Sequence, residues 1–244
     1  MRYLVLSDVH GNLEALEAVL AAERDFEQVL VLGDLVGYGA DPNAVVDRVR
    51  DLPVAAIVRG NHDKVAAGLA SVESFNPVAR QAIAWTTKTL SASSFEWLAA
   101  LPQGPMSVTE HVEICHGAPF DEDFYVFDEM DAQRAATSVT RTLCLFGHTH
   151  VPGVFRLGAS VSYERKPHQE PWVFTLAAPE RALVNCGAVG QPRDGDPRAA
   201  YGVLDTDAGV LTLARVLYDV RSAQTKIVAA GLPTALANRL ALGR

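Results

Sequence analysis

The chain has 244 residues, of which 49% are hydrophobic and 20% are charged, a composition typical of globular proteins. Its formal net charge of −8 supplies no basic field that would attract nucleic acid or an anionic membrane. No apolar run reaches the roughly 18 residues of a membrane span, and the N-terminus lacks a signal-peptide pattern. We therefore expect a cytoplasmic protein with neither a membrane nor a nucleic-acid partner. Bound metal ions could still reverse the local field for an anionic substrate.

The first quarter of the chain alternates predicted strands and helices. Three continuous apolar runs predict strands, at residues 2–7, 28–32 and 54–58. Two segments with apolar residues on one face predict helices between them, at about Leu13–Ala22, capped by Asn12, and at about Asn43–Leu52. Continuous rather than alternating apolar strands, joined by helices, indicate a parallel sheet covered on both faces.

The remainder predicts further helices and a change of strand type. Helices are expected within residues 77–101 and 131–139, and strands at 112–115 and 142–146. From Val151 onward the predicted strands are shorter, at residues 154–155, 173–176, 182–185, 201–204 and 211–218. Residues 164–171 are predicted as a loop, and two helices near 223–229 and 234–242 close the chain. We expect a single domain over 1–244, in which 151–244 supplies a second, more antiparallel sheet and the closing helices.

Polar side chains follow the predicted strands of the first 150 residues. The five motifs, in chain order, are Asp8-x-His10, Gly33-Asp34, Gly60-Asn61-His62-Asp63, His116-Gly117 and Gly147-His148-x-His150. The carboxyl ends of strands in open α/β sheets are where ligands bind. Alternate residues of an extended segment point the same way, so each Asp-x-His or His-x-His pair can face one site together. Singly, each motif is more often a turn or a solvated loop, but five such coincidences predict one shared site.

The residue types at these positions indicate a metal centre. Carboxylate, carboxamide and imidazole groups are ligands of borderline divalent ions such as Mn²⁺, Fe and Zn²⁺. Seven such side chains exceed the four ligands of a tetrahedral zinc site. A pair of ions about 3.5–4 Å apart, bridged by one carboxylate, accounts for the number.

The five motifs resemble those of the calcineurin-like metallophosphoesterase superfamily, which read D-x-H, G-D, G-N-H-[DE], H and G-H-x-H in the same order. The late segment 185–193 is similar to the N-x-G-S-V-G-Q-P-R motif of a compact bacterial branch described as related to diadenosine tetraphosphatases and serine/threonine phosphatases, with Ala188 at the Ser position. The resemblance implies an α/β fold. That fold is a four-layer α-β-β-α sandwich, with two mixed β-sheets packed face to face and helices on both outer sides.

The resemblance also implies a role for each matched residue. It places one metal ion on Asp8, His10, Asp34 and His150, and a second ion on Asp34, Asn61, His116 and His148, so that Asp34 bridges the two. His62 would protonate the leaving group after attack by a metal-activated hydroxide, and Asp63 would hydrogen-bond and orient its imidazole. Asn61 and Arg193 are the candidate substrate contacts. The cofactors would be two divalent ions, with Mn or Fe favoured and Zn, Ni or Co as alternatives.

Three functions stay open at this point. The leading interpretation is a dinuclear phosphoesterase acting on a small phosphorylated substrate, either a phosphodiester or a nucleotide. The alternatives are a protein Ser/Thr phosphatase or dinucleoside polyphosphate hydrolase and, from another class, a scaffold that keeps the fold without catalysis. An intact ligand set argues against a scaffold. The substrate, the native metal, the oligomeric state and the role of the Gly37-Tyr38-Gly39 loop do not follow from the sequence.

Overall fold

The computed structural model describes residues 1–165, 171–175 and 180–244 of the chain. Within these ranges the strands are β1 (Arg2–Leu6), β2 (Gln28–Val31), β3 (Val54–Ile57), β4 (Met106–Ser107), β5 (Val112–Ile114), β6 (Leu143–Phe146), β7 (Gly153–Leu157), β8 (Val161–Glu164), β9 (Trp172–Thr175), β10 (Arg181–Asn185), β11 (Ala199–Asp205) and β12 (Val210–Val216). The helices are α1 (Leu13–Ala22), α2 (Pro42–Arg50), α3 (Asn61–Ala66), α4 (Pro77–Thr89), α5 (Ala92–Ala99), α6 (Glu129–Ala136), α7 (Val220–Ala229) and α8 (Thr234–Leu240).

The described strands form two mixed sheets of six strands each. The first sheet has the order β3-β2-β1-β11-β12-β9, and the second has the order β4-β5-β6-β10-β7-β8. In the first sheet β1, β2 and β3 run parallel, and in the second β5, β6 and β10 do so. The remaining neighbours pair antiparallel. Each sheet therefore has a parallel half whose carboxyl ends can meet at one edge.

Alternation along the strands divides the core into three layers. In β1, Leu4 and Leu6 face one apolar cluster, which contains residues of α1, α2, α4, α5, α7 and α8, while Tyr3 and Val5 face another. That second cluster is shared by both sheets, so it lies between them. In β6, Cys144 and Phe146 turn outward to a third cluster under α6. The result is the predicted α-β-β-α sandwich, held by burial of both faces of each sheet.

The division of strands between the sheets differs from the prediction. We expected residues 151–244 to supply the second sheet, but strands from both halves of the chain contribute to each sheet. β11 pairs with β1 in the first sheet, and β10 pairs with β6 in the second. The predicted strand at 173–176 is present as β9 up to residue 175. Residue 176 and positions 166–170 of the predicted loop lie outside the described residues, and the single-domain organisation stays a prediction.

The tetrapeptide 60–63, which follows the third predicted strand, opens helix α3. Gly60 is the N-cap, and Asn61, His62 and Asp63 form the first turn. Side chains in the first turn of a helix project from a rigid frame, which fixes three polar groups next to the end of β3. None of the helices within the described ranges combines the length and hydrophobicity that a bilayer crossing requires.

Candidate metal centre

The predicted ligands lie where the parallel strands of both sheets end. Asp8 and Asp34 follow β1 and β2 in the first sheet, and His116 and His148 follow β5 and β6 in the second. Backbone hydrogen bonds join these loops, since Asp8 N donates to Gly33 O at 3.0 Å. The carboxyl edge of each parallel half therefore forms one wall of a common buried site.

The backbone at the site is strained in a consistent way. Among the described residues, six non-glycine residues have a positive φ, and all lie here: Asp8, His10, Asp34, Tyr38, His148 and His150. Their φ values, between 51° and 66°, are left-handed, a conformation that costs roughly 1–2 kcal/mol per L-residue. The expected extended geometry for Asp8-x-His10 and His148-x-His150 was therefore wrong. The left-handed turns bring these side chains to one site, and clustered strain of this kind marks a functional constraint.

One group of ligand atoms comes from Asp8, His10, Asp34 and His150, which lie within 4.8 Å of one another. The Nε2 atoms of His10 and His150 are 3.1 Å apart, and Asp8 Oδ1 lies 3.2 Å from His150 Nε2. Asp34 Oδ2 lies 3.6 Å from His10 Nε2. All four side chains are at most 2% exposed. Four donor atoms thus converge from three different loops.

A second group adjoins the first through Asp34. His116 Nε2 lies 3.1 Å from His148 Nδ1, 3.2 Å from Asn61 Oδ1 and 3.4 Å from Asp34 Oδ2. The other oxygen of Asp34, Oδ1, accepts a hydrogen bond of 2.8 Å from the His62 backbone N–H at the start of α3. The helix therefore fixes the Asp34 carboxylate so that Oδ2 is shared by both groups.

The outward nitrogens of all four histidines donate to backbone carbonyls. The pairs are His10 Nδ1 with Val36 O at 3.1 Å, His116 Nδ1 with Leu32 O at 2.8 Å, His150 Nδ1 with Gln191 O at 2.6 Å and His148 Nε2 with Asp123 O at 3.2 Å. A carbonyl oxygen only accepts, so each of these ring nitrogens carries the proton. A neutral imidazole has one N–H, and the inward nitrogen then offers a lone pair. This arrangement is the one that orients histidines as metal ligands.

The donor set fits borderline divalent ions. Oxygen donors from Asp8, Asp34 and Asn61 stand beside four imidazole nitrogens, a mixture that suits Mn, Fe and Zn. The nearby thiols face elsewhere, because Cys115 Sγ lies 3.6 Å from Cys144 Sγ and 3.4 Å from Gly117 O. Soft thiolate ligation therefore does not enter this site.

Burial and charge shift the pKa values of the site in opposite directions. Burial lowers the pKa of His148 to about 3 and also lowers the pKa values of His10 and His150. Burial acts on His116 as well, but the carboxylates of Asp34 and Asp8 outweigh it and raise the pKa of His116 to about 10. The same attraction, exerted by the histidines against burial, holds the pKa values of Asp8 and Asp34 below their usual range. The site therefore keeps its carboxylates ionised and most of its imidazoles neutral.

Only a glycine fits at position 60 of this site. Its backbone is extended, and a Cβ there would lie 2.0 Å from Asp34 Oδ1. The close approach of the Asp34 carboxylate therefore leaves no room for a side chain at this position.

Asp63 does not orient His62 as expected. Its carboxylate accepts hydrogen bonds from the backbone N–H groups of Leu35, Val36 and Gly60, at 2.9, 3.1 and 3.0 Å. As the third residue of α3, it turns back to cap its own helix and to fix the loop after Asp34. Burial and the Asp34 charge raise the pKa of Asp63 to about 7 despite these bonds. Its role is to hold the backbone around the site.

Ring packing holds the imidazole of His62 in its place. The ring centroids of Tyr38 and Phe75 lie 4.4 and 4.6 Å from that of His62. Nδ1 of His62 is buried with no hydrogen-bond partner among the described residues, and a Cβ at Gly37 would lie 2.4 Å from it. Burial also lowers the pKa of His62 to about 4. The Gly37-Tyr38-Gly39 loop thus forms a wall of the site and covers one nitrogen of this ring.

Arg193 also contacts the Gly37-Tyr38-Gly39 loop. Its Nη2 donates to Gln191 Oε1 at 3.2 Å and to the Tyr38 hydroxyl at 3.4 Å, and its charge acts on His62 and His150. Its Nε is buried without a hydrogen-bond partner in the described structure. A guanidinium with a donor unused is suited to an anionic ligand.

The late segment 185–193 supports the ligand loops. Asn185 Nδ2 donates to Gly147 O at 2.6 Å and to Thr149 Oγ1 at 3.0 Å. Gly190 N donates to Asp8 O at 2.9 Å. Ala188, at the position of the motif's serine, is fully buried, and its carbonyl accepts a hydrogen bond from Ala200 N. The motif therefore ties together loops of both sheets.

Two further histidines belong to none of the five motifs. His111 is 71% exposed and pairs with Glu110, as expected of a surface residue. His168 lies outside the described residues. Sequence reasoning missed Phe75 and Tyr125, whose rings contact His62 and His148. Neither belongs to a motif, so no local pattern identifies them.

Comparison with known proteins agrees with this geometry. A family profile described as the calcineurin-like phosphoesterase superfamily domain matches residues 1–209. A crystal structure of a metallophosphoesterase from Sphaerobacter thermophilus is 39% identical, with a TM-score of 0.90 over 100% of this chain and 99% of that one. An uncharacterized protein of Methanocaldococcus jannaschii is 36% identical over 98% of this chain and 97% of its own. A hypothetical protein from Pyrococcus horikoshii, 17% identical, shares the fold with a TM-score of 0.79, over 100% of this chain and 98% of that one.

Proposed function

The chain belongs to the calcineurin-like phosphoesterase superfamily, and from that premise we propose that it is a dinuclear-metal phosphoesterase acting on a small phosphodiester or nucleotide. The observation that carries the proposal is the orientation of the histidines. The inward Nε2 atoms of His10 and His150 stand 3.1 Å apart, while the Nδ1 atom of each ring donates to a carbonyl. Lone pairs that face each other repel unless a cation lies beside them. The inward nitrogens of His116 and His148 stand equally close, at 3.1 Å.

We assign the ligands in two sets. Asp8, His10, Asp34 and His150 would hold one ion, and Asp34, Asn61, His116 and His148 the other, with Asp34 between them. The proximity of the donor atoms in each set supports this division. Mn or Fe is the preferred pair, with Zn, Ni or Co also compatible with the donors.

Two bound divalent ions would supply Lewis acidity that activates water and neutralises charge on phosphoryl oxygens. The part of the chain in the chemistry would be the proton held by His62. With a pKa of about 4, the imidazole is neutral at pH 7 in the absence of substrate. A bound phosphate anion favours the charged form and raises that pKa. Nε2 would then deliver its proton to the leaving oxygen, because Nδ1 faces Gly37.

Arg193 would bind the phosphate on the side of Tyr38. Its guanidinium carries an unused donor and lies on the wall that also holds His62. Asn61, on the first turn of α3, would contribute both to the second ion and to the substrate. These two contacts would set the phosphoryl group between the ions and the proton donor.

The direct test is turnover by the metal-loaded protein. We expect hydrolysis of bis-p-nitrophenyl phosphate after loading with Mn²⁺ and loss of activity after chelation. Absence of turnover with each of Mn²⁺, Fe²⁺, Co²⁺, Ni²⁺ and Zn²⁺ would contradict the proposal. A panel comprising diadenosine tetraphosphate, a cyclic nucleotide, a phosphomonoester and a phosphopeptide then ranks the substrate classes.

A further inference from the structure

Two exposed aromatic side chains adjoin the candidate metal centre. The Tyr125 ring stacks on the His148 ring, with centroids 3.7 Å apart and planes inclined by 23°. The Phe127 ring continues the stack, 5.1 Å from Tyr125 with planes inclined by 4°. We call Tyr125 and Phe127 the aromatic shelf. It extends from a ligand-side imidazole to the protein surface.

The aromatic shelf is open to solvent. Tyr125 is 40% exposed and Phe127 is 59% exposed. Isolated exposed apolar residues need no explanation, but a stacked pair beside a functional site leaves flat apolar surface uncovered where a substrate enters. Aromatic rings carry a large apolar surface, so a ligand that covers them gains the free energy of burying that surface.

The aromatic shelf adjoins the second ligand group. Nδ1 of His148 points into the second ligand group, and its ring face supports Tyr125. Burial raises the pKa of the Tyr125 phenol, the charge of Arg193 lowers it and the charge of Asp34 raises it. A phosphate held between the ligand groups and Arg193 would therefore carry its ester substituent toward these rings.

A cleft continues beyond Phe127. It has a volume of about 190 Å³, and its lining includes Phe127, Thr149, Tyr163 and Arg165. Arg165 Nη2 donates to Asp194 O at 3.2 Å, which holds its guanidinium at the rim. Aromatic walls with a guanidinium and a hydroxyl suit a flat heterocycle with hydrogen-bonding edges. The positive charge of Arg165 disfavours a quaternary ammonium group, the other ligand that aromatic surfaces attract.

We propose that the aromatic shelf is a nucleobase subsite, so that one ester substituent of the substrate is a nucleoside whose base stacks on Phe127. This inference rests on the proposed phosphoesterase function and specifies its substrate class. Base stacking on a protein aromatic strengthens binding by roughly 5- to 150-fold. The net charge of −8 argues for a mononucleotide or dinucleotide rather than a polynucleotide.

The test compares two ligands that differ only in the base. AMP and ribose 5-phosphate are titrated into the Mn²⁺-loaded protein by calorimetry, and each competes with bis-p-nitrophenyl phosphate in initial-rate assays. We expect AMP to bind at least about fivefold more tightly. Phe127→Leu should reduce this ratio toward one, and Phe127→Tyr should keep it. Tyr125→Phe should also keep it if stacking, rather than the phenol hydroxyl, supplies the affinity.

Phe95→Leu is the matched control, since Phe95 is a partly exposed phenylalanine on α5. The ratio of the affinities for AMP and ribose 5-phosphate in Phe95→Leu should equal that of the wild type. Equal affinities for AMP and ribose 5-phosphate, no binding of either, tighter binding of phosphocholine than of AMP, or an unchanged ratio in Phe127→Leu would overturn the inference. Turnover without base preference would leave the proposed function standing. Base preference in calorimetry without turnover under any metal would sustain the subsite and reject the function.

Discussion

Nε2 of His10 and Nε2 of His150 lie 3.1 Å apart although the Nδ1 atom of each ring donates to a backbone carbonyl. In the neutral rings both facing nitrogens are therefore acceptors. Two acceptors at this distance are unfavourable unless a cation or proton lies between or beside them, and burial disfavours the proton. The folded backbone thus enforces a contact that a bound cation would stabilise.

The first prediction concerns His62. His62→Asn should reduce kcat/KM for bis-p-nitrophenyl phosphate by roughly 10²–10⁴-fold, because it removes the proposed proton donor. Metal content should stay at the wild-type level, because the His62 ring, which packs against those of Tyr38, Phe75 and His10, contributes no atom to either ligand group. His111→Asn, at an exposed position, is the control and should match the wild type in both measurements. Loss of metal in His62→Asn would show that His62 is itself a ligand.

The second prediction concerns Gly37. Gly37→Ala places a Cβ 2.4 Å from His62 Nδ1 and requires alanine at a φ of +89°. The methyl group should displace His62 and lower kcat/KM about 10²-fold, the scale expected for an ångström of misplacement. Gly231→Ala has a φ of +71° with no atom of the described residues within 4 Å of the new Cβ, so it should lower the stability by about 1–2 kcal/mol and leave the activity unchanged. Equal kinetics in the two variants would refute the packing role of Gly37.

The third prediction is a pH dependence of stability in the metal-free protein. The pKa of His62 is about 4 when folded, because of burial, against 6.5 when unfolded. As the pH falls, His62 therefore takes up its proton in the unfolded chain before it does so in the folded chain. The contribution of His62 to stability is complete above about pH 6.5 and is lost as the pH falls toward 4. Urea unfolding in the presence of chelator should show a loss of about 2 kcal/mol from this residue between pH 7.5 and pH 5. The unfolding free energy of His62→Asn should fall by about 2 kcal/mol less than that of the wild type over the same interval. The same pH dependence of stability in both proteins would contradict the assignment.

Local patterns were enough to predict that the five motifs lie close together, because they follow apolar strands whose carboxyl ends must meet in a parallel sheet. Helix α1 begins and ends at the predicted residues, and Asn12 caps it by accepting from Ala15 N. Both depend on nearest neighbours along the chain. The layered fold was also predictable, since continuous apolar strands need cover on both faces.

The predictions that failed concern contacts between residues that are distant in the sequence. Asp63 was paired with its neighbour His62, whereas its true partners are the backbone N–H groups near residue 35. The sheet that β11 joins depends on pairing with β1, about 200 residues away, which no local pattern encodes. Tyr125 lies in a segment without periodicity and reaches the site only through tertiary packing.

The most direct measurement of the central claim is the number of Mn²⁺ ions bound per chain at equilibrium, by dialysis and elemental analysis. We expect two ions in the wild type. Asp34→Asn should bind at most one, because Asp34 Oδ2 lies within 3.6 Å of His10 Nε2 and 3.4 Å of His116 Nε2 and serves both ligand groups. Asp25→Asn, at an exposed carboxylate, should keep both ions. One ion or none in the wild type, or two ions in Asp34→Asn, would contradict a dinuclear centre bridged by Asp34.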